Sequence, residues 1–342
     1  MELFNYSEPF ELETGTILPG VTIAYHTYGT LNNDKSNVIW ICHALTANSD
    51  AAAWWPGVVG KNARLSDGQG FADPSKYFIV CANILGSCYG STGPLTIDPS
   101  TDQPYFSNFP MITIRDMVKA HILLRKHLNI EKIHLLMGGS MGGYQVLEWC
   151  AMENDVAKNL LLIGTSATES AWGIAVHTAQ RLAIEADATW QSHHRNAGAK
   201  GLKAARAMGV ISYRNYRILV EKQTEPDPEK LDNYKASSYI NYQGDKLVSR
   251  FNAYSYWLLT KSMDSHHLGR GRGGNAIPVL QNIKQRTLII GIDSDILCPL
   301  HEQELLAENI ANSTLITIDS PYGHDGFITE AAKISKALGE WL

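Results

Sequence analysis

The chain has 342 residues, of which 44% are hydrophobic and 18% charged, and a formal net charge of −5. This length allows one large core or two modest ones. The slight acidity argues against nucleic acid or an anionic membrane as the main partner, and no apolar run approaches the roughly 20 residues that span a bilayer. The opening MELFNYSEPF has no basic segment followed by an apolar one, so no secretory leader is expected. The five cysteines, Cys42, Cys81, Cys88, Cys150 and Cys298, are odd in number, scattered and without a CxxC pair. That pattern fits reduced thiols in a cytoplasmic protein better than a disulfide frame or a zinc site. Each reads as a small core residue, although Cys88 falls in a loop.

In chain order, VTIAYHTYG (21–29) alternates in polarity, as an antiparallel strand near a sheet edge does. NVIWIC (37–42) and YFIVCAN (77–83) are short, branched and flanked by turn residues, which predicts buried strands. TIRDMVKAHILLRKHL (113–128) places apolar residues three and four apart and predicts a helix. The strand KIHLLM (132–137) runs into a helical stretch over 141–152, and NLLLIG (159–164) reads as the next strand. From about 167 to 275 the rhythm breaks into polar, aromatic-bearing helical patterns with no linker, repeat or low-complexity tract. This reads as a helical lid that leaves a sheet and returns to it. TLIIGI (287–292), a helix over 300–311, TLITID (314–319) and a helix over 330–342 close the chain. The alternation predicts the α/β class: a mostly parallel sheet with helices on both faces. The divisions expected are a core over 1–166 and 279–342 and a lid over 167–278.

LLMGGSMGGY (135–144) packs four glycines around Ser140, although each glycine carries an extra entropic cost on folding. The run matches G-x-S-x-G between a strand and a helix, the context in which that motif holds a nucleophilic serine on a sharp turn. A serine hydroxyl needs a base and an acid that orients it, in the chain order Ser, Asp or Glu, His. TLIIGIDSDILCP (287–299) offers Asp293 and Asp295 past a strand end. Asp295 is favoured because it lies further into the loop, whereas Asp293 is expected to bond local loop backbone. TLITIDSPYGHDGF (314–327) supplies His324 past another strand. A loop after an early strand should give one oxyanion donor, and CHALTANSD places Leu45 there. The Leu45 and Met141 amides are the expected pair, with His43 structural. His193-His194 and His266-His267 lack partners at ligand spacing and are read as solvated, so no metal site is expected.

CHALTANSD (42–50), NILGSCYGSTGP (83–94), FPMITIRDMVKAH (109–121), GGSMGGYQVLEW (138–149), MDSHHLGRGRGGN (263–275), GIDSDILCP (291–299) and SPYGHDGF (320–327) together resemble the homoserine O-acetyltransferase family over nearly the whole chain. The resemblance implies an α/β-hydrolase fold with a helical lid. It also implies acyl transfer from acetyl-CoA through acyl-Ser140 to homoserine, a step of methionine biosynthesis. His324 would act as base, Asp295 would orient it, and the scheme would be ping-pong. Arg206, in GLKAAR, would bind the acceptor carboxylate, and Asp325, after the catalytic histidine, its ammonium. No cofactor is implied beyond acetyl-CoA as co-substrate. Pairing into a homodimer through the lid is implied too, and Tyr254, Tyr256 and Trp257 permit it, although such a stripe is as often intramolecular core. Ala47, Ser87 and Cys298 depart from the family's usual residues at pocket positions. They leave succinyl-CoA as donor, serine as acceptor, or hydrolysis by water as alternatives. GRGRGG (269–274) is read as a loop at the lid–core boundary rather than a nucleic-acid tract.

Overall fold

The computed structural model describes residues 1–60 and 70–342. Eight strands form the main sheet: β1 (Glu2–Tyr6), β2 (Val21–Tyr28), β3 (Val38–Cys42), β4 (Phe78–Ala82), β5 (Ile133–Gly139), β6 (Ala157–Ile163), β7 (Arg286–Ile292) and β8 (Ser313–Ile318). Their spatial order is β1-β2-β4-β3-β5-β6-β7-β8. The pairs β1–β2 and β2–β4 are antiparallel and the remaining pairs parallel. The expected α/β-hydrolase architecture is therefore present. The edge strand β1 is an addition to the sequence reading, since ELFNY is short and half polar.

The central strands are apolar throughout because both faces are covered, and side chains alternate between them. Along β3, Val38, Trp40 and Cys42 join one buried cluster, and Ile39 and Ile41 join the other. Helices α1 (Ile114–His127) and α2 (Met141–Met152) cover the first face. Thr113 caps α1 in a reciprocal box with Asp116, which satisfies N–H groups the helix leaves open.

Between β6 and β7 the chain forms α3 (Ala171–Glu185), α4 (Ala199–Tyr213), α5 (Tyr216–Gln223), α6 (Lys235–Val248) and α7 (Ala253–Asp264). It leaves and re-enters the core side by side. Thr168 and His267 form an antiparallel bridge, Glu169 N–H donates to the His266 carbonyl at 2.9 Å, and Leu268 N–H donates to Ala167 at 2.9 Å. The GRGRGG loop packs just beyond this neck. Arg270 pairs with Glu13 at 2.8 Å, Arg272 with Glu148 at 2.5 Å, and Arg115 with both carboxylates at 2.7 Å. These arginines are committed to carboxylates within the chain, consistent with a boundary loop. Helices α8 (Leu300–Asn309) and α9 (Ala331–Trp341) complete the fold, α9 on the second sheet face. No helix among the described residues is long and apolar enough to cross a membrane.

Candidate active site

Strand β5 ends at Gly139 and α2 begins at Met141, so Ser140 is the whole turn between them. Its backbone stands at φ 55°, ψ −131°, a conformation that costs a non-glycine residue of order 1–3 kcal/mol. Surrounding bonds hold it there. Ser140 N–H donates to the Ile163 carbonyl at 2.9 Å, and the Ser140 carbonyl accepts from Thr165 Oγ1 at 2.9 Å and Gly143 N–H at 2.8 Å. The glycines answer to space. A Cβ on Gly142 would lie 2.1 Å from the Cys42 carbonyl oxygen, and one on Gly138 would lie 2.4 Å from Gly142 backbone. The strand and helix can meet at this corner only without those atoms.

Three side chains predicted from separate segments converge here. His324 Nε2 lies 2.9 Å from Ser140 Oγ, and His324 Nδ1 lies 2.7 Å from Asp295 Oδ2. Asp295 Oδ1 accepts from the Leu297 and Cys298 amides at 2.8 and 2.9 Å, which fixes the carboxylate. All three residues are buried. Burial alone would lower the His324 pKa, but the Asp295 charge and hydrogen bond, helped by Asp325 and Glu169, raise it above its ordinary value. Cys298 approaches Asp295 and His324 closely enough for their donor atoms to form a tight cluster. Asp295 and His324 are already spent on each other, however, and burial keeps the Cys298 thiol protonated.

Asp293 has a different task. Its Oδ1 accepts from Ser320 N–H at 2.9 Å, so it ties the loop after β7 to the loop that carries His324. This bond is to loop backbone as expected, but to a loop distant in sequence. Ser294 adds to the tie by donating to the Ser320 carbonyl and accepting from Gly323 N–H.

Leu45 borders the same cavity as Ser140, and Met141 opens α2, where N–H groups have no partner within the helix. A buried network braces the two segments that carry these amides. Gln145 Nε2 donates to the His43 carbonyl at 3.0 Å and the Met141 carbonyl at 3.1 Å, while its Oε1 accepts from His121 Nε2 at 2.9 Å. Burial holds His43 at a pKa of about 4. The neutral ring donates from Nδ1 to the Ala44 carbonyl at 2.9 Å and accepts at Nε2 from Ile84 N–H at 3.2 Å. His43 is thus structural, as read.

The cavity is about 510 Å³ and is lined by Leu45, Ser140, His324, Arg206 and Asp325, among others. The Arg206 guanidinium stands 5.7 Å from the centre of the Tyr213 ring, which itself lies 6.0 Å from the His324 ring. Sequence reasoning missed several polar lining residues, Arg214, His177, Lys246 and Arg250 among them. Arg214 Nε lies 2.6 Å from Asp325 Oδ2, so Asp325 enters the site already ion-paired. His177 of α3 is buried against the cavity with Nδ1 2.8 Å from Asp264, and Arg181 holds the other Asp264 oxygen at 2.6 Å. The tract SYRNYR (212–217), which spans the C-terminal end of α4, was the available signal for Arg214. Nothing local marks His177.

One sequence reading is corrected, and one left open is resolved. His266 is not solvated: it is buried, stacks on Tyr144 at 4.0 Å and bonds the Ser166 carbonyl, and its pKa is pushed down to about 3 by burial. Tyr254 and Tyr256 are buried within the chain, and Trp257 donates to Glu185 at 2.6 Å, so this stripe is intramolecular. His193 and His194 are exposed as expected.

A family model described as "alpha/beta hydrolase fold" matches residues 37–331. A homoserine O-acetyltransferase of Cyclobacterium marinum is 45% identical over 337 residues, covering 98% of this chain and 93% of that protein. Among solved structures, a homoserine O-acetyltransferase from Bacillus anthracis superposes with a TM-score of 0.89 at 23% identity, covering 99% of this chain and 96% of that one. An acetylester hydrolase from Corynebacterium glutamicum gives 0.86 at 24% identity, covering 99% and 95%. At such identities the two structures speak to fold alone.

Proposed function

The chain belongs to the homoserine O-acetyltransferase family, built on the α/β-hydrolase fold, and we propose that it moves an acetyl group from acetyl-CoA to the hydroxyl of L-homoserine through acetyl-Ser140. The observation that carries this reading is the Ser140–His324–Asp295 relay at 2.9 and 2.7 Å on a cavity that also holds Arg206 and Asp325. His324 takes the Ser140 proton as Oγ attacks the thioester carbon. The Leu45 and Met141 amides receive the developing oxyanion. When the C–S bond breaks, His324 protonates the departing thiolate and CoA leaves. Homoserine then enters the vacated cavity. His324 removes its hydroxyl proton, the alkoxide attacks acetyl-Ser140, and collapse returns the proton to Ser140 and releases O-acetylhomoserine.

Arg206 has no carboxylate partner among the described residues and lines the cavity, which suits a bidentate clamp on the acceptor carboxylate. Asp325, held in place by Arg214, suits the acceptor ammonium. The buried cysteines and free Cys88 suit a reducing cytoplasm. Most of the exposed large apolar side chains, including Trp172, Leu182, Ile211 and Tyr216, fall on α3–α5 or the tract just beyond them, and they support a homodimer formed through these helices.

Product analysis by mass spectrometry tests the reaction. Acetyl-CoA and succinyl-CoA are each offered with homoserine, serine or water alone. The expected product is O-acetylhomoserine from the wild-type chain and none from Ser140→Ala. Free acetate as the main product, at equal rates with and without homoserine, rejects the transferase reading in favour of a hydrolase.

A further inference from the structure

The cavity carries more positive charge than the acceptor requires. Arg206, Arg214, Lys246 and Arg250 line it, whereas Asp325 is its one lining carboxylate among the described residues. This excess stands in a chain whose net charge is −5. Asp325 is taken by Arg214, and the acceptor carboxylate accounts for Arg206. Lys246 and Arg250 remain, and neither has a carboxylate within ion-pair distance among the described residues. The nearest candidate in sequence, Asp245, pairs with Lys203 at 2.8 Å on another face of α6. Gln243 and Lys246 are three residues apart, and both line the cavity.

Arg250 lies two residues past the end of α6 and is held in place. Its Nη1 donates to the Thr46 carbonyl at 2.5 Å and the Tyr89 hydroxyl at 2.6 Å. One side of the guanidinium is thereby fixed against the turn that carries Leu45. Nε and Nη2 have no acceptor among the described residues. A planar fork braced on one edge, beside a flexible ammonium, suits an oxyanion that bears several acceptor oxygens. Both residues are exposed at the cavity, where a polyanion can reach them without desolvating a buried charge.

We propose that Lys246 and Arg250 form the subsite for the phosphate groups of the nucleotide thioester that acylates Ser140. This deepens the acyl-transfer reading and rests on it. It assigns the α6 side of the cavity to the carrier and leaves Arg206 and Asp325 for the acceptor. The carrier is then selected by its phosphates as well as its acyl group, and its charge makes capture sensitive to salt.

The test compares acetyl-CoA with acetyl-pantetheine, which keeps the thioester arm and lacks the phosphates. The wild-type chain is expected to prefer acetyl-CoA in kcat/KM. In Lys246→Ala that preference falls about tenfold, the loss of one charge-assisted phosphate contact. In Lys246→Glu it falls further, with the change in KM rather than kcat. Lys246 is exposed, so a thermal melt matching wild type is expected and separates this effect from misfolding. A wild-type chain that uses both thioesters equally well overturns the subsite, as does a preference that Lys246→Glu leaves at its wild-type value. A wild-type chain that turns over neither thioester overturns acyl transfer itself, and the subsite falls with it.

Discussion

Burial and Asp295 act on His324 in opposite directions, and the carboxylate prevails. A raised pKa keeps the imidazole protonated to higher pH, and a protonated ring cannot accept the Ser140 proton. The acid limb of kcat/KM for acetyl-CoA is therefore expected above pH 6.5, the ordinary histidine value. Asp295→Asn removes the charge, so burial dominates and the limb moves to lower pH. The rate falls at the same time, by about 10³–10⁴-fold if the ring also loses its tautomer. A limb that stays in place in this variant means another group sets it. Asp293→Asn keeps an oxygen that can accept from Ser320 N–H, so stopped-flow acylation should stay near the wild-type rate. Arg206→Ala is expected to raise the homoserine KM about 10–100-fold, through loss of a charge-assisted pair. It should slow formation of the acetyl-enzyme far less, and equal effects on both half-reactions would remove Arg206 from the acceptor site. Ser140, Asp295 and His324 could be picked out from the sequence because each stands just past a strand end, whereas Arg206, inside α4, was reached only through the family resemblance of GLKAAR. Arg214 and His177 could not be picked out, because what makes them cavity residues is the packing of the insertion's helices, which no local pattern records.

At the level of the element, the corner between β5 and α2 leaves little room for change. Gly142→Ala sets a methyl group 2.1 Å from the Cys42 carbonyl oxygen, a backbone atom at the end of β3 that cannot swing aside. A loss of about 1–3 kcal/mol is expected in a urea melt. Acylation should suffer more than stability does, since His43 and the Leu45 turn follow directly on Cys42. A variant of wild-type stability and rate would mean the corner is looser than described. The central strands were legible to within a residue or two because both faces are buried, so the apolar run and the strand coincide. ELFNY escaped because an edge strand has one covered face and only five residues to show it. His266 escaped for another reason: its burial depends on Tyr144, a partner more than a hundred residues away.

On the scale of the whole molecule, the exposed apolar residues of the inserted helices set the expected assembly. Light scattering on a sizing column should report twice the chain mass, and Leu182→Asp with Ile211→Asp should halve it. A wild-type chain that runs as a monomer would leave those side chains exposed for some other purpose. A mostly parallel, helix-covered sheet was inferable from strand–helix alternation, but the surface of the insertion was not, because exposure there depends on how five helices settle against one another. The neck at Thr168 and His267 has its own consequence. Because the outgoing and incoming segments touch at this bridge, removal of the helical block would leave two chain ends already adjacent. Such a block can be grafted, exchanged or closed over by a short turn without redrawing the sheet beneath it. The cavity wall that the block supplies, Arg206 included, can therefore change while Ser140, His324 and Asp295 stay where the sheet holds them.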